Sequence, residues 1–233
     1  VVAELIERLH SQQVLVISAR PGSGATSVIT AGVMPQVLAG ALGKVAEFEV
    51  LPLTWPGTAP LKALPSEVND PGVGGRASLL VVDDVDELFT YRAPETERLE
   101  FMRRLEQFVQ AAPMLNRLVL VSTTSFREGV MNSSYPVTSW FREQFTHCSY
   151  RLPPVSVKGL HNVIEKPAQR IGLRFEEGLV DDLVSDVYGE PAALPLLQFS
   201  LTRLWNHRER NRITYDSYRQ VGGGRRALCI AVD

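Results

Sequence analysis

Three continuously apolar runs separated by helical stretches predict an α/β protein: a doubly wound parallel sheet, followed by a helical segment. The runs are VLVIS at 14–18, SLLVVD at 78–83 and RLVLVS at 117–122. None alternates apolar with polar residues, as a strand covered by helices on both faces requires. Between the last two, Leu99, Met102, Leu105, Phe108 and Val109 recur at helical spacing over 95–111. Strands alternating with helices in this way imply parallel crossover units.

Val2, Leu5, Ile6 and Leu9 give an opening helix one apolar face. After the first strand comes a glycine-containing turn at 20–24, then a helix over 26–38 whose end is blurred by Gly32 and Pro35. A second strand falls within 45–53, and 55–77 reads as loop around one short helix. Past Pro153 and Pro154 no strand-like run recurs, and helices are expected over 155–170, 178–188 and 192–208. In the last of these, Leu194, Leu197, Leu201, Leu204 and Trp205 form one face, so Trp205 is expected in the core. The expected domains are 1–152, an α/β domain; 153–212, a helical domain; and 213–233, the truncated start of a further one. Both ends read as cut from a longer chain.

The charges exclude several functions. With 26 acids against 24 bases and a net charge of −2, the whole chain offers no electrostatic attraction for nucleic acid or an anionic membrane. The two cysteines form no CxxC pair and the four histidines share no ligand spacing. A disulfide framework or structural zinc is therefore not expected, and reduced thiols in the cytoplasm are. No run approaches the ~20 apolar residues of a membrane span.

Chemistry concentrates in two strings. The first, ARPGSGATS at 19–27, lies between a buried strand and a helix. Backbone N–H groups at such a helix start can point at a phosphate, and Gly22 and Gly24 let the chain wrap it. Thr26 stands where a hydroxyl would reach Mg²⁺. The usual phosphate loop has a glycine at the position of Ala19 and a lysine at that of Ala25. By itself the string fits an ordinary strand–turn–helix connection equally well. The second string, LLVVDDVDEL at 79–88, ends a buried strand in acids. Asp83 is placed to orient water on Mg²⁺; the alternative is that Asp83, Asp84, Asp86 and Glu87 only cap the next segment.

With these strings the chain resembles the novel STAND NTPase family, P-loop signalling ATPases related to NB-ARC modules. Five strings carry the resemblance in the family's order: ITAGVMPQVLAG, VVDDVDELFT, IEKPAQRIGLRFEEGLV, GEPAALPLLQFSLTRLW and ITYDSYRQVGGGRRAL. It implies a P-loop NTPase sheet, a helical lid and the start of a winged-helix-like segment. It also implies ATP or ADP with Mg²⁺ between loop and lid. Gly22, Ser23, Gly24, Thr26 and Ser27 match the phosphate loop, and Asp83 and Thr26 the metal position. Asp84, where family members commonly carry glutamine, and Glu87 are candidates for polarising the attacking water. Pro195 lies in a lid segment similar to the one that contacts adenine; helix initiation accounts for it as well.

Two departures bear on catalysis. Ala25 lacks the charge that bridges the terminal phosphates. A charge-assisted hydrogen bond contributes roughly 1.5–3 kcal/mol, so affinity falls about 10- to 100-fold. After RLVLVS, where the family places an arginine and an aspartate, this chain has Thr123 and Ser125, with Arg127 four residues on. Both changes withdraw positive charge from a transferring phosphoryl group. The expectation is a nucleotide-dependent regulatory switch, a P-loop ATPase by resemblance with hydrolysis slow or lost. It would self-associate and be joined in a longer chain to sensor and effector domains such as WD-type repeats. The alternative is a catalytically dead scaffold or oligomerisation module with weak or no nucleotide binding.

Overall fold

A computed structural model describes residues 1–43, 48–69, 77–91, 93–113 and 115–222. It divides by contact into two units: Val1–Arg20 with Ala25–Leu152, and Pro21–Gly24 with Pro153–Asp233. In the first, helix α1 (Val2–Ser11) leads into β1 (Val14–Ala19). After the turn, α2 (Ala25–Val28) runs through a π turn (Ile29–Val33) into α3 (Met34–Leu38). The π turn is closed by the Met34 N–H donating to Ile29 O, just ahead of Pro35, which has no N–H to give. Then come β2 (Phe48–Val50), α4 (Pro60–Ala63), α5 (Ser66–Asn69) and β3 (Ala77–Val82). They are followed by α6 (Glu87–Thr90), α7 (Glu95–Ala111), β4 (Arg117–Thr123), α8 (Thr124–Met131), α9 (Ser139–His147) and β5 (Ser149–Arg151).

The five strands form one parallel sheet in the order β2-β3-β4-β1-β5. Every residue of β1 and β3 is buried, which is why their sequences are apolar without alternation. Side chains pointing one way, Val14, Val16, Leu80, Val82, Leu118 and Leu120 among them, meet α7, α8 and α9 through Phe101, Phe108, Phe126, Phe141 and Phe145. Those pointing the other way, including Leu15, Ile17, Leu79, Val81 and Val119, meet α1 and the π turn through Leu5, Leu9, Ile29 and Val33.

The second unit holds α10 (Val157–Arg170), β6 (Arg174–Phe175), α11 (Leu179–Val187), α12 (Ala193–Asn206), β7 (Arg212–Ile213) and α13 (Tyr215–Gln220). Its core is Leu160, Ile164, Leu183, Val187, Leu197, Leu204, Ile213 and Val221. β6 and β7 pair in parallel. Tyr215 Oη donates to Asp182 at 2.7 Å and Tyr218 Oη to Asp186, so α13 is tied to α11.

Several expectations change. Two short helices stand within 55–69 where one was expected. The stretch 124–151 holds α8, α9 and β5, which no sequence pattern was assigned to. Strand pairing also recurs after Pro153, through β6 and β7. Trp205 is not core: it is 41% exposed, and the Arg208 guanidinium lies 3.8 Å from its ring centre. The indole finds a cation at the surface instead of apolar neighbours. The glycine-rich string at 70–75 and most of the expected further domain, 223–233, lie outside the described residues. No helix among those described is long and apolar enough to cross a membrane.

Candidate functional site

In an open parallel sheet, ligands bind beyond the carboxyl ends of the strands. β1 ends at Ala19, β3 at Val82 and β4 at Thr123, and the chemistry-bearing residues follow directly. Gly22 and Gly24 take left-handed backbone, with φ of 72° and 85°, which residues with a Cβ resist. Gly22 is also crowded: a Cβ there would come 2.9 Å from Pro195 Cγ, its neighbour in the second unit. Pro195 is the third residue of α12. Ser23 Oγ is buried without a partner. Ala25 opens α2, and Thr26 and Ser27 stand on its first turn with exposed side chains.

Asp83 is 1% exposed. Its N–H donates to Thr54 O at 2.9 Å, and its Oδ1 accepts the Asp84 N–H at 3.1 Å. Its Oδ2 is buried with no partner. A buried carboxylate oxygen left unsatisfied is unfavourable, and a hard cation would satisfy it. Carboxylate and hydroxyl oxygens are the donors Mg²⁺ takes.

Asp84 departs from strand geometry with φ 47°, a conformation aspartate tolerates better than most residues. The chain thereby turns toward β4, where the Val85 N–H donates to Val121 O. Asp84 is exposed for the most part, its carboxyl lying partly against the protein. Partial burial and then the neighbouring charges of Asp83, Asp86 and Glu87 push its carboxyl above the usual range. Glu87 Oε2 accepts the Gly57 N–H at 3.1 Å, tying the loop after β2 to α6.

At the end of β4, Thr123 caps α8: its Oγ1 accepts the Phe126 N–H at 3.2 Å and lies 3.2 Å from Ser125 Oγ. Arg127 is engaged elsewhere, its Nε donating to Ser149 Oγ at 3.1 Å. Sequence reasoning passed over Ser122, which is 3% exposed with an unpartnered Oγ, and Thr124, whose Oγ1 is likewise buried and unpartnered. Their only signal in the sequence is a position at the end of a buried strand. Together with Asp83 and Asp86, they concentrate unsatisfied oxygen at the carboxyl edge of the sheet.

Comparison with known proteins agrees with the fold. A family model described as Novel STAND NTPase 1 matches residues 1–232. Among curated proteins, none matches the chain. Among solved structures, the chain is similar to the Aeropyrum pernix ORC2 protein in its ADPNP–ADP complexes, at 16% identity and a TM-score of 0.64, covering 94% of this chain and 65% of that one. It is also similar to the Thermotoga maritima RuvB Holliday junction branch migration motor, at 17% identity and a TM-score of 0.54, covering 94% and 66%. Drosophila ORC bound to DNA matches at 14% identity and a TM-score of 0.55, covering 94% and 57%. The chain thus spans about two thirds or less of the length of these structures, and at such identities the likeness shows the P-loop NTPase fold.

Proposed function

The chain belongs to the novel STAND NTPase 1 family, and from that premise we propose that it is a nucleotide-dependent regulatory switch module. Fold and family are those of a nucleotide-binding module. The further reading is that ATP or ADP with Mg²⁺ is the ligand, that occupancy sets the signalling state, and that hydrolysis is slow. The observation that carries it is the buried, unpartnered Oδ2 of Asp83 at the carboxyl end of β3. In this reading Asp83 and the Thr26 hydroxyl hold Mg²⁺, and the amides around Gly22, Ser23, Gly24 and Ser27 hold the phosphates. Asp84 and Glu87 remain the candidates for ordering the attacking water. Glu87 already holds the Gly57 N–H through one oxygen, which favours Asp84. Pro195 is proposed to border the base, the helical unit to act as a lid, and copies of the chain to self-associate. Sensor and effector domains, such as WD-type repeats, and a cytoplasmic setting complete the proposal.

Slow turnover has a physical basis. No lysine stands at 25, and the last residue of β4, Thr123, offers a capping hydroxyl where a cation would stabilise phosphoryl transfer. The same two facts favour a second reading, a scaffold that has lost nucleotide. Titration with labelled ATP, with and without Mg²⁺, separates them. Saturable Mg²⁺-dependent binding with turnover far below the usual range for a P-loop ATPase supports the switch. No saturable binding up to millimolar ATP removes it and leaves the scaffold.

A further inference from the structure

A cavity of about 260 Å³ lies in the first unit between α6 and the start of α8. Its polar lining includes Asp86, Thr123 and Ser125, and its apolar lining is Phe89, Phe126 and Tyr135. The three rings form a continuous cluster, with centres 4.6 Å apart for Phe89–Tyr135, 5.0 Å for Phe126–Tyr135 and 5.5 Å for Phe89–Phe126. Asp86 stands at the N-cap of α6, yet its side chain caps nothing. Its Oδ1 is buried with no hydrogen-bond partner. No ion pair joins Asp83, Asp84, Asp86 or Glu87 to a cation among the described residues. Arg98 stacks on Phe89 at 4.8 Å but donates to Ala93 O and does not line the cavity.

The Asp86 carboxylate, lining the hollow beside aromatic faces and hydroxyl oxygens, is complementary to one kind of group. It must be cationic, planar enough to stack on a ring, and rich in N–H donors. Guanidinium meets all three conditions, pairing with a carboxylate while stacking on a π face. A lone metal cation would leave the aromatic wall unused, and the volume exceeds several times the ~30 Å³ share of one water. We propose that this hollow is a binding site for a guanidinium group, supplied by a free small molecule or by an arginine of a second copy of the chain. The hollow borders the candidate site through Thr123 and Asp86, but the proposal does not require nucleotide to be bound there. Filling it would place positive charge beside Asp86, which has no ion-pair partner among the described residues.

The test titrates N-acetyl-arginine methylamide and its neutral isostere, the citrulline analogue, into the full chain without nucleotide at matched salt. Ring resonances of Phe89, Phe126 and Tyr135 report binding. The arginine probe should produce a saturable shift, with the citrulline probe at least about tenfold weaker because its bonds are not charge-assisted. The Asp86→Asn variant, checked for folding by circular dichroism, should lose that difference. Equal response to both probes, an equal response to potassium chloride, or no saturation overturns the proposal, and the wild-type comparison stands even where the variant does not fold. Sedimentation over a concentration series then assigns the source. Association that the arginine probe competes away identifies a second copy, and a monomer that still binds the probe identifies a small molecule.

Discussion

At the residue scale, Asp83 and Asp84 are adjacent carboxylates with opposite situations. Asp83 has one oxygen satisfied and one buried without a partner. Asp83→Ala is therefore expected to abolish the Mg²⁺-dependent part of ATP binding, while Glu87→Ala, which removes a tie to Gly57, chiefly loosens the loop after β2. Calorimetric titration of both variants checks this. Asp84 is raised above the usual carboxyl range by burial and by its acidic neighbours. A raised carboxyl opposes folding once it is ionised, fully above its folded pKa, and is relieved as pH falls through that value. Asp84→Asn should then be more stable than wild type at neutral pH, with the gap closing as the medium is acidified. Melting curves across pH decide it. At position 25, restoring the cation by Ala25→Lys should tighten ATP binding about 10- to 100-fold. Unchanged affinity in a titration would show that the loop does not touch phosphate.

At the element scale, the buried strands were legible because a strand covered on both faces has no choice but to be apolar throughout. Helix α7 was legible because its period is long and clean. The elements between β4 and Pro153 were not. β5 has three residues and owes its existence to pairing with β1, Val16 with Ser149 through Ser18 with Arg151, which no local pattern announces. α9 is written in Phe141 and Phe145, one turn apart and both fully buried. α8 begins where Thr123 caps it, in the stretch where the family resemblance implies an arginine that this chain lacks. Thr123→Val should cost about 0.5–2 kcal/mol through the lost cap, measurable by denaturant unfolding. α12 shows the limit of periodicity in another way: Leu204 is fully buried and adjacent Trp205 is 41% exposed. Leu204→Ala should lose about 2–5 kcal/mol, whereas Trp205→Ala loses much less, and thermal melts of the two variants check the order.

At the scale of the whole molecule, each unit carries its own core, one built around the five-stranded sheet and one around α10–α13. Phe101→Ala should raise amide exchange across the sheet unit and Leu183→Ala across the helical unit. Exchange followed by mass spectrometry distinguishes them, and uniform loosening from either variant would contradict separate cores. The candidate site was half legible. Gly22, Gly24, Thr26 and Asp83 stand out in one dimension because a phosphate loop and an acid-ended strand are local patterns. Ser122, Thr124 and the aromatic hollow do not, since parallel pairing of β3 with β4 brings residues from distant stretches to one edge. By itself, the order of residues determined the covered strands, the left-handed glycine turn and the family, all of which follow from local sterics and from burial on both faces. Only the tertiary structure decided which polar atoms are left buried without partners, because satisfaction of a hydrogen bond depends on neighbours that sheet register, and not chain distance, supplies.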